Sequence, residues 1–273
     1  FIKRFERVTA RYQRKKSGIF VWPSHEEDLN VLRPKVACIL DRFSFDCLKY
    51  EFDLHPIPRS NYEDFFDSNN FDFVFMESFW ASHNDEWRFA MSSNDSPMGE
   101  QLNKLIKYVK DRGLKTVFWN KEDPINYDIF IQSAKKFDYI FTSDSNIIPK
   151  YVEACGHDRI YPLEFACEPR LHNPIRNRLE EKDLSFAGAW YERVHDNRKE
   201  QMRILLDSST EYELDIYDRF FDDNSPNKFP AEYQRFVRGS LTYDEARSTY
   251  RMYKAVLNVN TIQDSPTMFS RRV

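Results

Sequence analysis

Several polar residues of this chain stand directly behind apolar runs, where a folded sheet would hold them along one rim. Behind KVACIL (35–40) come Asp41, Arg42 and Ser44, and behind FDFVFM (71–76) come Glu77 and Ser78. KTVFWN (115–120) ends in Asn120 and leads into Lys121, Glu122 and Asp123, while DYIFTS (138–143) ends in Ser143 and leads into Asp144. Ligands of open parallel sheets bind beyond the carboxyl ends of the strands, so these are the positions where chemistry is expected. The carboxylates of NKEDP are of the type that removes a proton from a bound hydroxyl. From spacing alone, the favoured reading is that Asp123-Pro124 initiates a turn and caps the next helix.

The second half offers a different set. DLSFAGAW runs into YERVHDNR, where Gly188 lets a ligand approach the backbone and a following helix N-terminus favours an anion. Arg193 and Arg198 are placed to add charge against a phosphate. Near the end, an expected strand AVLNVN (255–260) puts Asn258 and Asn260 on one face. The loop after it carries Asp264, Ser265, Thr267, Ser270 and Arg271. These groups suit a phosphorylated sugar, and they suit equally a structural role in capping loops and starting a helix. Neither G-x-x-x-x-G-K-[ST] nor G-x-G-x-x-G occurs, and the chain has only six glycines, which argues against ordinary dinucleotide folds. The histidines at 25, 55, 83, 157, 172 and 195 show no metal spacing, and no G-x-S-x-G elbow supports a serine hydrolase.

The elements that must position these residues alternate. Five continuous apolar runs read as buried strands: 35–40, 71–76, 115–120, 138–143 and IYPLEFA at 160–166. Helical spacing lies between them, with Leu102, Leu105, Ile106 and Val109 on one face of 96–113, and a second helix at 146–156. Gly113 and Gly156 are the stop signals. EPRLHNPIRNRLEEKD reads as a linker. A new alternation follows: strand 183–190, helix 196–207, strand 212–218, helix 242–254 and strand 255–260. Alternation of this kind means parallel sheets covered by helices. The expected organisation is a basic helical segment 1–34, an α/β domain 35–167, a linker 168–182 and a second, incomplete α/β domain 183–273.

Composition narrows the function classes. With 273 residues, 41% hydrophobic, 24 Phe and 15 Tyr, there is ample material for packed cores. A net charge of -4 supplies no global pull toward nucleic acid, which is not expected as a partner. The cluster Lys3, Arg4, Arg7, Arg11, Arg14, Lys15 and Lys16 is an exception: it reads as a solvated helix face or as a weak contact with a membrane surface. Cys38 and Cys167 lie in apolar runs and read as buried thiols of a reducing compartment. No apolar stretch approaches the roughly 20 residues of a membrane span, so a cytoplasmic location, peripheral to a membrane at most, is expected. The chain does not begin with Met and is expected to be a piece of a longer protein.

Taken in order, DLSFAGAWYERVHDNR, LDIYDRFF and RGSLTYDEARSTYRMYKAVLNVNTIQDSPTMFSRRV resemble the CgeB-like family of bacterial glycosyltransferases. The likeness is good from Leu184 to Val273, looser from Lys35 to Ala166, and absent from residues 1–30. It implies a GT-B fold, two facing Rossmann-like domains with a cleft between them, and a C-terminal domain of the glycosyltransferase family 1/4 type. The reaction implied is transfer of a sugar from a nucleotide-diphosphate sugar to the hydroxyl of a glycan, lipid-linked or protein acceptor. It needs no metal or other cofactor, because cationic side chains and a helix N-terminus stabilise the leaving diphosphate. Retention of configuration is the outcome the resemblance favours.

By the same resemblance, Gly188 and Arg193 contact the diphosphate, while Tyr217 and the backbone near Gly239 and Leu241 frame the nucleobase. Asn260, Ser265, Thr267, Met268 and Ser270 line the sugar-diphosphate pocket, with Arg271 close by. Glu122 and Asp123 are the candidates for catalytic base or acceptor-orienting group. Two departures stand out. DRFSFD after the first strand lacks the glycines many relatives have, and the glutamate expected to grip the donor hydroxyls would follow Val273. The rival reading is a non-catalytic glycan- or partner-binding module on the same scaffold.

Overall fold

The computed structural model describes residues 32–172, 182–192 and 196–268. The basic stretch 1–16, most of the expected linker, and Arg193, Ser270 and Arg271 lie outside the described residues. The chain forms two all-parallel sheets flanked by helices, an α/β architecture of Rossmann-like type.

The first unit runs β1 (Lys35–Ile39), α1 (Arg42–Leu48), β2 (Asp53–Pro56), α2 (Tyr62–Asp67), β3 (Phe73–Glu77) and α3 (Pro97–Asp111). It continues with β4 (Thr116–Asn120), α4 (Tyr127–Ala134), β5 (Tyr139–Thr142), α5 (Ile148–Cys155) and β6 (Ile160–Pro162). Its strands lie in the order β2-β1-β3-β4-β5-β6, all parallel. The continuous apolar strands follow from burial on both faces. Alternate residues Ala37, Ile39, Val74, Met76 and Phe118 enter one large core with the helices. Their neighbours Val36, Cys38, Leu40, Phe75 and Trp119 enter a second core on the opposite face.

Local signals fix the helices between them. Ser96 accepts the Gly99 N–H at 3.0 Å and Pro97 opens α3, so the start has a side-chain cap and a pre-set first turn. Leu102, Leu105, Ile106 and Val109 are its buried face, as the spacing predicts. Gly156 ends α5 at φ +70, a conformation that favours glycine.

The second unit contains β7 (Lys182–Gly188), α6 (Asp196–Ser209), β8 (Leu214–Asp218), α7 (Tyr243–Tyr250) and β9 (Tyr253–Leu257), with strand order β8-β7-β9. Phe186, Met202, Leu206, Leu214, Ile216, Trp190, Phe229, Tyr233 and Val259 form its buried cluster. Thr242 starts α7 with a capping box shared with Glu245.

Several expectations need correction. β6 stops at Pro162 rather than running to 166, and β9 spans 253–257 rather than 255–260. Asn258 and Asn260 therefore lie in the loop beyond the strand, where strand alternation does not place them on one face. β2, α1, α2 and α4 are additional elements, and the helix expected over 242–254 is shorter, at 243–250. Cys38 is buried, but Cys167 is exposed, in the stretch that follows β6. No described helix is long and apolar enough to cross a membrane.

Candidate functional site

β1, β3, β4 and β5 deliver their last residues to one rim of the first sheet. The strand order reverses between β1 and β3, and such a topological switch point is where open α/β sheets bind ligands. Asp41 and Glu77 stand on the two sides of that point. Lys121 reaches in from the end of β4: its Nζ donates to Glu77 Oε1 at 2.8 Å, pairs with the Asp41 carboxylate, and lies 3.4 Å from Ser44 Oγ. The lysine side chain is only 2% exposed, and Glu77 is fully buried. The Asp41 N–H donates to Glu77 Oε1 at 2.5 Å, whereas Glu77 Oε2 is buried with no hydrogen-bond partner. Burial pushes Glu77 up to about 7, against the pull of the Lys121 ammonium. Asp41 is the open member of the trio, its side chain 28% exposed, and it also caps α1 by accepting Ser44 N–H at 2.8 Å.

Asp123 has a different setting. Its peptide bond to Pro124 is cis, and the side chain is completely buried. It accepts from Thr142 Oγ1 at 2.6 Å, Asn120 Nδ2 at 2.7 Å and the Tyr151 hydroxyl at 3.0 Å. Burial raises it to about 7, and the Thr142 and Tyr151 bonds act against that rise. Asp123 therefore ties β4, β5 and α5 together at their ends. It does not cap α4, whose N-cap is Asn126. Glu122, half-buried, points its carboxylate to Asn126 Nδ2 at 3.0 Å. Of the two acids expected to act on an acceptor, Glu122 has exposed surface and Asp123 has none.

The second sheet repeats the reversal, with β7 between β8 and β9. Gly188 ends β7, and the loop with Asn258 and Asn260 follows β9, so topology brings these residues to one rim. Gly188 is buried and its carbonyl accepts Arg219 N–H at 2.8 Å. Asn258 Oδ1 is buried with no hydrogen-bond partner. Arg198 is 4% exposed; its guanidinium donates to Ala189 O at 3.2 Å and lies over the Tyr191 ring, which places it beneath the rim. The Gly239 carbonyl accepts Asp218 N–H at 2.8 Å, and Leu241 is half-buried before α7.

Tyr217 is engaged elsewhere. Its hydroxyl meets that of Tyr253 at 2.8 Å, and Tyr253 donates to Asp215 Oδ2 at 2.7 Å. Asp215 also takes Lys182 Nζ at 2.7 Å and Arg238 Nε at 2.6 Å, at the amino-terminal end of the sheet, beside a cavity of about 220 Å³. Those donors hold the Asp215 carboxyl below the usual range despite its burial.

The loop after β9 crosses to the first unit. Ser265 Oγ donates to Asp144 Oδ1 at 2.7 Å, and Thr267 Oγ1 accepts Ser145 N–H at 2.8 Å while donating to Ser143 O at 3.0 Å. Met268 N–H donates to Ser265 Oγ at 3.0 Å. On the other flank, α1 meets α7: Phe43 packs edge-on to Tyr243 with ring centres 4.7 Å apart, and Arg42 pairs with Asp244 at 3.2 Å. The carboxyl rims of the two sheets are thus linked at two places.

Spacing in the sequence missed Thr142 and Tyr151 as partners of Asp123, and Tyr243 with His172 as interdomain contacts. Tyr151 sits at an apolar helical position and gave no polar signal. Among the described residues, no group of three or more His, Cys, Asp or Glu is arranged to hold a metal ion. The sequence matches no protein-family model and no curated protein.

Proposed function

We propose that the chain is a glycosyltransferase of GT-B type, moving a sugar from a nucleotide-diphosphate sugar to an acceptor hydroxyl on a glycan, lipid or protein. One observation carries this reading: two parallel sheets turn their carboxyl rims toward each other, with the loop after β9 bonded to the loop after β5. Two substrates held by opposite rims would meet between them, which is what group transfer requires. The second rim takes the donor, through Gly188, Asn260 and the expected Arg193 and Arg271. The first rim takes the acceptor.

In this reading Glu122 meets the acceptor hydroxyl, because Asp123 has no exposed surface. Asp123 acts through Asn120 and Thr142 to fix the turn that carries Glu122. Asp41, open to solvent and next to the switch point, is the second acid within reach of a ligand. The rival reading, a non-catalytic glycan- or partner-binding module, draws on the sealing of Lys121 and Asp123, whose charged groups are engaged with protein partners.

The test is release of nucleoside diphosphate from a panel of UDP- and GDP-sugars, with calorimetry of UDP and GDP alongside. Turnover is expected to fall about 10²–10⁴-fold in Glu122→Gln while diphosphate binding is retained. Diphosphate binding without turnover in the parent would favour the binding module. Absence of any binding at millimolar UDP or GDP by a form extended beyond Val273 would overturn the donor-site assignment.

A further inference from the structure

The two contacts between the units differ in kind. On the α1 flank, Tyr243 of α7 is packed by Phe43, its hydroxyl meets His172 Nε2 at 2.7 Å, and Cys47 Sγ lies 3.7 Å away. Arg251 Nη2 also donates to Leu171 O at 3.1 Å. This flank lies where the chain leaves the first unit, at Leu171 and His172, so covalent connection and ring packing act together.

The opposite flank consists of hydrogen bonds between two rim loops. Thr267 Oγ1 is engaged in both directions: its single proton goes to Ser143 O and one of its two lone pairs receives Ser145 N–H. Ser265 Oγ gives its proton to Asp144 Oδ1 and receives Met268 N–H. Asn146 Nδ2 adds a bond to Asp264 O at 3.2 Å. With their protons given to Asp144 and Ser143, neither hydroxyl is offered to a diphosphate while these bonds stand, so Ser265 and Thr267 have a task besides the pocket lining that the resemblance implies. Every one of these bonds has a water-bonded alternative on separation, so each neutral one shifts an open–closed balance by about tenfold or less, and the Ser265 bond to the Asp144 carboxylate by about ten- to a hundredfold.

We infer that Ser265 and Thr267 form a latch between the two sheet rims, and that the units part at this flank while the Tyr243 flank remains as the hinge. The latch sets how often the cleft admits a ligand, whatever that ligand is. It is therefore independent of the transferase reading and can fail or stand without it.

Hydrogen exchange of the full chain tests it, because the Ser145 amide is itself one of the latch bonds. In Ser265→Ala/Thr267→Val, exchange in segment 143–147 is expected to rise about tenfold or more. Exchange at 168–172, where the His172 amide bonds Glu168 O at 2.7 Å, should stay as in the parent, as should the core strands. Thr267→Ser keeps the hydroxyl and should restore protection. If the double variant does not fold, Thr267→Val alone carries the same expectation at a smaller rise, against Thr267→Ser. Unchanged exchange at 143–147 would overturn the latch. An equal rise at 143–147 and 168–172 would overturn it too, since the units would then separate as a single rigid interface.

Discussion

Each unit carries a lysine that bridges to an acid on a neighbouring strand, and the two bridges are placed in opposite ways. Lys121 sits at the carboxyl rim of the first sheet, 2% exposed, between Asp41 and Glu77. Lys182 sits at the amino end of the second sheet, 45% exposed, on Asp215. Solvent decides what each is worth. Water competes for Lys182 and screens its pair, whereas Lys121 has no water to replace its partners. Burying an ion trio where ligands bind pre-sets the rim's shape, whereas at the other bridge only Asp215 is buried and its two cations, Lys182 and Arg238, stay in water.

The comparison breaks first at Lys121. Lys121→Met leaves Glu77 and Asp41 without their cation, and urea unfolding should show a loss of about 3–5 kcal/mol. A loss below about 1 kcal/mol would mean that the pair is not sealed in solution.

A second effect concerns pH. Glu77, Asp123 and Glu168 all have carboxyls raised to about 7 in the folded state, chiefly by burial, from ordinary values near 4. Between those values the folded chain binds more protons than the unfolded one. Their contribution to stability is thus full below about pH 4 and is lost as pH rises through about 7. Asp215 runs the other way, held low by its donors: its contribution is present above about 3.8 and lost as the solution becomes more acid. His172, lowered by burial and by Arg247 and Arg251, also favours the folded chain above about 6.5 and opposes it below. Glu77→Gln keeps an acceptor for Lys121 and removes one titrating group. The drop in urea midpoint between pH 5 and pH 8 should therefore be smaller in Glu77→Gln than in the parent. Equal drops would show that Glu77 is ionised across the range.

The smallest expected effect is the counterpart at the other lysine. Lys182→Met leaves Asp215 with Arg238 and Tyr253, and should cost under about 1 kcal/mol by the same urea measurement. A cost matching that of Lys121→Met would erase the distinction between the two sheets.

How much of this was legible follows from how burial marks a sequence. β1, β3, β4 and β5 show as unbroken apolar runs because both of their faces are covered. β2, with only DLHP, is a short polar edge strand and leaves no such mark. α1, RFSFDCL, is too short for a periodic pattern, although Asp41 is its cap. The end of β9 is expected three residues too late because AVLNVN alternates as convincingly beyond Leu257 as before it. Rim residues could be found from the rule that ligands lie past strand ends. Which of them are sealed could not, since Lys121 meets Asp41 from 80 positions away and Thr267 meets Ser145 from 122. Such pairings are properties of the folded topology, and local patterns do not encode them.

The strands at the borders of the sheets bear on how copies of this molecule meet one another in a concentrated solution. Among the described residues, β9 pairs with β7 alone. Lys254 projects from that strand, exposed and paired with Asp183 at 2.6 Å. At the border of the first sheet, β2 ends in Pro56, which has no N–H to offer a newcomer. A charge on β9 and a proline at the end of β2 each discourage ribbon-like pairing at those two strands.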